Sequence, residues 1–462
     1  MLRWTTVLAI LAIEMASNSA NAQLLDLPDT WGGDVWSRPR LTGDWGGFRD
    51  ELAKKGVVFD VDLLATPQWV VGGGRDTGGT TWGNADYTLN LDTQKMGLWP
   101  GGFVNVSADS GFGGNVLKKS GAIVPVSTAA LIPAQGDPTT ALMNATFIQF
   151  LSTKFGLAVG KFNTFALGKQ EFYGDYNTQF ENTAFMFPMT LEQVPISAFG
   201  GGVIVLPTDG VILSALALDP NGTPTSNDVS FNKGVTVVGS GQVAVKPFGL
   251  VGHQNVGFSW SDKQRLSIDQ DPSNIANMLL QEQFPRLGDP GPILRAILAR
   301  FFPGLLVPTQ PARHKDESWS VYYSFDQYLW QPAGDSKHGL GVFLSFGASD
   351  GDPNPVKYAA MAGIGGKGVI SRRPDDTFGL GISRTHFSSD FVPFLREQLK
   401  LGLQNEDALE LYYSVAITAW LTATADFQIV DPGLKKALSS SGLGLKNVDT
   451  ATVAGLRLRV RF

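Results

Sequence analysis

Residues 452–462 alternate strictly: Leu456, Leu458, Val460 and Phe462 are apolar, with Arg457, Arg459 and Arg461 between them. Period-two alternation predicts a strand with one apolar and one polar face. A polar face of consecutive arginines suits a barrel wall between lipid and an aqueous lumen. An arginine on the lipid side costs about 2–4 kcal/mol at the bilayer midplane, so these side chains are expected to point inward. The same period begins at Val57, where Phe59, Val61 and Leu63 alternate with Asp60 and Asp62.

Strands are expected at 57–71, 83–93, 101–110, 141–152, 156–165, 197–206, 209–218, 234–246, 249–262, 318–330, 338–349, 356–370, 376–388, 407–418, 421–430 and 450–462. Each is long enough to cross a membrane when tilted. Even-numbered links are short turns, as at 153–155, 207–208 and 419–420, whereas most odd-numbered links are long, as at 111–140, 166–196 and 263–317. Short turns on one side and long loops on the other define the expected fold. It is all-β: a transmembrane antiparallel β-barrel of about 16 strands, with short periplasmic turns and long extracellular loops.

Upstream of the barrel the period changes. Residues 43–56 read as a short helix, with Phe48 and Leu52 on one face, charged residues elsewhere and Gly56 as the C-terminal stop. Arg3, the apolar run 4–13 and Ala20-Asn21-Ala22 form a secretory signal with cleavage expected after Ala22. The expected organisation is a signal peptide over 1–22, a leader with its short helix over 23–56, and the barrel over 57–462. Two helices, at 274–284 and 293–302, are expected in the 263–317 loop, which either caps or gates the mouth.

Composition agrees with a membrane barrel. Only 17% of residues are charged, against about 25% in soluble proteins, and mean hydropathy is +0.01. Beyond the signal no apolar run is long enough for a membrane-spanning helix. A net charge of −6 argues against a nucleic-acid partner. With no cysteine, neither disulfides nor thiolate metal sites exist.

Enzyme and metal motifs fail on inspection. Gly363-Ile364-Gly365-Gly366-Lys367-Gly368 matches a dinucleotide loop, but Arg373-Pro374 follows where a helix is required. Asp350-Gly351-Asp352-Pro353-Asn354 begins like a calcium loop, but Pro355 replaces the turn glycine and Met361 the bidentate glutamate. The histidines, 253, 314, 338 and 386, show no zinc spacing. No catalytic residue, metal or cofactor is expected.

What remains is distributed along the polar faces of the strands. Asp109, Lys161, Asp326, Tyr328, Glu410, Tyr412, Asp426 and Gln428 are candidates for the solute pathway. So is the 166–196 loop, with Lys169, Glu171, Tyr173, Asp175, Tyr176, Asn177, Glu181 and Asn182. Mixed charges and tyrosines suit neutral polyols, because charged groups hydrogen-bond hydroxyls and rings stack on sugar faces. In a closed barrel the last strand meets the first, so Arg457, Arg459 and Arg461 are expected to pair with Asp60 and Asp62 across the seam.

Leu41-Thr42-Gly43-Asp44-Trp45-Gly46-Gly47, Gly160-Lys161-Phe162-Asn163, Lys246-Pro247-Phe248-Gly249-Leu250, Arg372-Arg373-Pro374-Asp375-Asp376, Glu410-Leu411-Tyr412-Tyr413, Asp426-Phe427-Gln428, Asp431-Pro432-Gly433 and Gly455-Leu456-Arg457 occur in that order. This ordered set resembles the carbohydrate-selective outer-membrane porin family over nearly all of the chain beyond the signal. The resemblance implies a sixteen-stranded barrel that passes monosaccharides, chiefly glucose, and related small neutral carbohydrates through the outer membrane of a Gram-negative bacterium. Its partners would be those sugars and outer-membrane lipid. A general or ion-selective porin, a barrel-scaffold enzyme and a secreted carbohydrate-binding sandwich are the rival readings, and no interface pattern favours a monomer over a homotrimer.

Overall fold

The computed structural model describes residues 27–133, 139–269, 312–389, 404–438 and 445–462, together with Ala296 and Arg300. The barrel strands are β1 (Val57–Gly74), β2 (Gly78–Asp92), β3 (Gly102–Gly113), β4 (Thr139–Ser152), β5 (Phe155–Asn163), β6 (Ser197–Val205), β7 (Val211–Leu218) and β8 (Thr236–Val245). They continue as β9 (Gly252–Ser261), β10 (Ser318–Trp330), β11 (Gly339–Ser349), β12 (Val356–Lys367), β13 (Thr377–Phe387), β14 (Glu406–Ala416), β15 (Leu421–Asp431) and β16 (Asp449–Arg461). Each strand pairs antiparallel with its neighbour in sequence, and β16 returns to β1, closing a 16-stranded barrel.

Alternation sets the two faces. On β10, Trp319, Val321 and Tyr323 are exposed outward, while Ser320, Ser324 and Asp326 are buried inside. Among the described residues no helix is long and apolar enough to cross a membrane; the strands do so. Turns on one side are as short as 153–154, and 164–196 and 219–235 are long connections on the other. Two links on the long side are short: 350–355, as the sequence pattern predicts, and 75–77, because β1 and β2 extend further than that pattern.

The leader docks at the short-turn side through α1 (Phe48–Lys54). Its buried face is Arg49 and Ala53, while Phe48 is exposed. The expected Phe48–Leu52 face is therefore corrected. Arg49 lies between the Trp31 and Trp45 rings, 5.3 and 5.0 Å from their centroids, and its guanidinium reaches Asp60 at 2.8 Å and the Phe462 main-chain oxygen at 3.1 Å. An ion pair inside an aromatic clamp outweighs the exposure of one phenylalanine. Gly56 ends the helix at φ +78°, and a Cβ there would stand 2.6 Å from the Asp92 carbonyl, so only glycine fits. The signal over 1–22 and the helix expected at 274–284 lie outside the described residues. Of the 293–302 helix only Ala296 and Arg300 are described, and both are helical.

Candidate functional site: the loop inside the barrel

The connection 164–196 folds into the barrel and is closed at its base. The Thr164 amide donates to the Ile196 carbonyl at 2.9 Å, and the Thr164 hydroxyl to the Pro195 carbonyl at 2.8 Å. A compact loop with joined ends packs by its own side chains. Here Phe180 stacks on Phe185 at 4.5 Å and meets Tyr412 of the wall at 5.0 Å, while Phe172 meets Tyr328 at 4.9 Å. The facing strands make room with glycine. A Cβ on Gly341 would lie 2.3 Å from the Phe172 ring, and one on Gly381 would lie 2.6 Å from the Phe185 ring. The glycine-rich 363–368 segment has the same use, since a Cβ on Gly365 would reach Phe172 at 2.8 Å.

Polar groups of the wall then hold the loop backbone. The Glu410 carboxylate accepts from the Glu181 amide at 2.5 Å and the Asn182 amide at 3.0 Å. Asn182 donates to the Gln428 side-chain oxygen at 3.1 Å, and Gln428 in turn donates to Asp426 at 2.9 Å. Tyr328 donates to Glu171 at 2.5 Å, while His253 and Asp326 sit 2.7 Å apart beside them. Within the loop Lys169 pairs with Asp175 at 2.8 Å. Asn177 approaches Asp86 at 3.4 Å, and Asp86 lies opposite Asp109 in register. Tyr173 packs on Phe343, and the Tyr176 carbonyl accepts from Arg457 at 2.6 Å.

Most of the candidate residues therefore converge on one assembly, buried between loop and wall. Lys161 does not join it. It shares a strand face with the exposed, outward Leu157 and Val159, and its ammonium is capped by the Pro224 and Ser226 carbonyls at 3.0 and 2.7 Å.

Two anchors escaped the sequence reading. Gln68 donates to Glu181 at 2.9 Å. Glu406 accepts from the Ile123 and Val124 amides at 2.7 and 2.8 Å, tying a second inward segment to the wall. Glu406 and Glu410 share the inner face of β14, four residues apart, and that spacing was the available signal.

The seam differs from the expected ladder. Arg459 pairs with Asp62, and Arg461 stands 4.0 Å from the same carboxylate. Arg457 instead donates to the Tyr176 and Gln179 carbonyls of the loop and lies 3.8 Å from Glu181. Asp60 is taken by Arg40 at 2.6 Å and Arg49 at 2.8 Å. Depth explains the split. Each pair of residues advances about 6.6 Å along a strand, which carries Arg457 up to the loop and leaves Asp60 level with the leader.

The family model described as carbohydrate-selective porin, OprB family, matches residues 76–462. The chain belongs to this family. It is thus a sugar-preferring outer-membrane porin, a channel and not an enzyme. The porin is 24% identical to Porin B of Pseudomonas aeruginosa, covering 91% of each chain. It is 22% identical to the putative porin QuiX of Acinetobacter baylyi, over 96% of this chain and 98% of the relative. Its fold is similar to that of Pseudomonas putida OprB solved at high pH, with a TM-score of 0.73 and 21% identity over 93% of this chain and 100% of the other. The porin's inward loop sits in the barrel as a built obstruction, fixed by carboxylates and aromatic rings.

Proposed function

We propose that this porin is a passive diffusion channel preferring glucose-like monosaccharides and related neutral carbohydrates, with the 164–196 loop setting its constriction. The observation that carries the reading is the grip of Glu410 on two successive loop amides inside a barrel of the carbohydrate-selective family. In this reading Asp109, Glu171, Tyr173, Asp175, Asn177, Glu181, Asp326, Tyr328, Tyr412, Asp426 and Gln428 act mainly by holding the constriction in shape. Solutes partition into the remaining polar passage, bind weakly at several places and leave on the far side. The seam residues Asp62, Arg459 and Arg461 close the barrel and do not select solute. The chain reaches the outer membrane by a signal removed after Ala22, which N-terminal sequencing of the purified protein tests.

Swelling of liposomes carrying the purified protein tests the preference. Monosaccharides should enter faster than amino acids of equal size, and reversal potentials in a salt gradient should stay near zero. Equal rates at equal size would make it a general porin, and a strong reversal potential an ion-selective one.

A further inference from the structure

Between the loop and the inner faces of β5–β10 lies a cavity of about 430 Å³. This is the size range of small-molecule sites, which combine an apolar lining with a few placed polar groups. Its wall differs from the polar inner face of β15. β15 presents Thr422, Thr424, Asp426 and Gln428 on one face, as an aqueous lumen requires. β7 is apolar outward and, but for Ser214, apolar inward as well: Leu213 is exposed outward, and Ile212 and Leu216 line the cavity together with Ile204 of β6. Outward apolar residues are explained by lipid; the inward ones are not. Phe165 and Leu191 of the loop face the same space, so it is an apolar slot and not merely a greasy patch of wall.

A neutral polar row crosses this plate, and Lys169, Gln170 and Glu192 of the loop also line the cavity. Ser214, Ser240, Gly257 and Tyr322 are successive register partners on β7, β8, β9 and β10. The Ser214 and Ser240 hydroxyls are 2.8 Å apart. A Cβ on Gly257 would lie 2.4 Å from the Tyr322 ring and 2.6 Å from its hydroxyl. The tyrosine therefore lies over the glycine, along the wall, with its hydroxyl carried toward the serines. Gln242 and Asn255, themselves register partners, extend the neutral polar groups beside the row, Asn255 donating to Gln170 at 2.9 Å.

We propose that this slot is a binding subsite for glycosides carrying an apolar alkyl or aryl aglycone. The sugar hydroxyls engage the Ser214–Ser240–Tyr322 row, and the aglycone lies on the plate of Ile204, Ile212 and Leu216. A hydrocarbon without hydroxyls would make no use of the row, and a bare hexose would leave the plate wetted. The inference rests on the sugar-channel reading.

The test uses the full-length protein in planar bilayers, with phenyl β-glucoside, methyl β-glucoside and glucose as blockers of ion current. Phenyl glucoside should half-block at a concentration about tenfold below methyl glucoside, the scale of discrimination by an apolar pocket. The double variant Ile212→Asn/Leu216→Asn should narrow that ratio toward one. Equal half-block concentrations in the unmodified protein overturn the proposal, as does a ratio that persists in the variant. The unmodified comparison decides alone if the variant does not assemble. Swelling assays in which no sugar passes would instead sink the sugar-channel reading itself.

Discussion

The Glu410 carboxylate, on β14, lies 2.5 Å from the Glu181 backbone amide, 229 residues away in sequence. A wall side chain thus holds loop backbone, and that backbone leaves the channel only what space the carboxylate allows. Each amide left without its buried acceptor costs about 1–3 kcal/mol.

Glu410→Ala should loosen the loop. Single-channel conductance should rise, and oligosaccharides excluded by the parent should enter liposomes. Glu410→Gln keeps one acceptor oxygen and should fall between the two. Unchanged conductance and exclusion in the alanine variant would show that the loop is held elsewhere.

Arg459→Ala should lower the temperature at which the barrel unfolds in heat-modifiability gels. Removing one partner of a fully buried pair costs about 3–5 kcal/mol, mostly through the stranded charge; here the loss should be smaller, because Asp62 is half-buried and Arg461 stands 4.0 Å from the same carboxylate. Adding Asp62→Ala should therefore recover part of the loss. No recovery would mean that Arg459 acts through other partners.

At the leader, Arg49→Lys should fail to replace arginine. The flat guanidinium lies between two rings while its Nη2 reaches both Asp60 and the Phe462 oxygen; the more strongly hydrated ammonium has no planar face to lie there. The expected loss is about 2 kcal/mol, seen as faster proteolysis within residues 27–56. Parent-like resistance would make the clamp dispensable.

A pH effect is expected at the turn before β13. Burial alone would raise the Asp376 carboxyl. Hydrogen bonds from Arg373 at 2.8 Å, Tyr413 at 2.6 Å and the Ala416 amide at 2.9 Å more than offset this and hold it below its ordinary value. A lowered carboxylate contributes stability that is complete above the ordinary carboxylate range and is lost as pH falls through the folded value. Asp376→Asn should therefore destabilise the barrel by about 1–2 kcal/mol at pH 7, with the gap closing under acid. A gap constant down to pH 3 would refute the assignment.

These residues also show what was legible beforehand. The wall was, because lipid outside and polar groups inside impose a period of two that no local accident reproduces over so many segments. The inward direction of Glu410, Asp426 and the arginines followed from that period. Their partners did not. Glu410 binds backbone amides, which every residue but proline carries, so no side chain in the loop advertises the contact. Arg457 and Arg459 look alike in sequence and differ only in depth, which depends on barrel tilt and on where the loop comes to rest. In the sequence Arg49 is one helix charge among several, because Trp31, Trp45 and Asp60 converge on it only after the leader turns under the barrel. The Arg373-Pro374-Asp375-Asp376 run stands in the sequence only as a family resemblance; its physical content is the turn that Asp376 caps.

The closing pairing of β1 with β16 has a consequence for folding. Asp62 and Arg459 are 397 residues apart, so the final ladder of hydrogen bonds joins segments from opposite ends of the barrel sequence. Until they meet, both edge strands present unpaired amides and carbonyls to any other chain. Such non-local closure is slow, since chain entropy is surrendered before the contacts that reward it form. The interval with open edges is when this chain is most exposed to misassembly, and substitutions at the seam should first show themselves there as lost yield of inserted barrel.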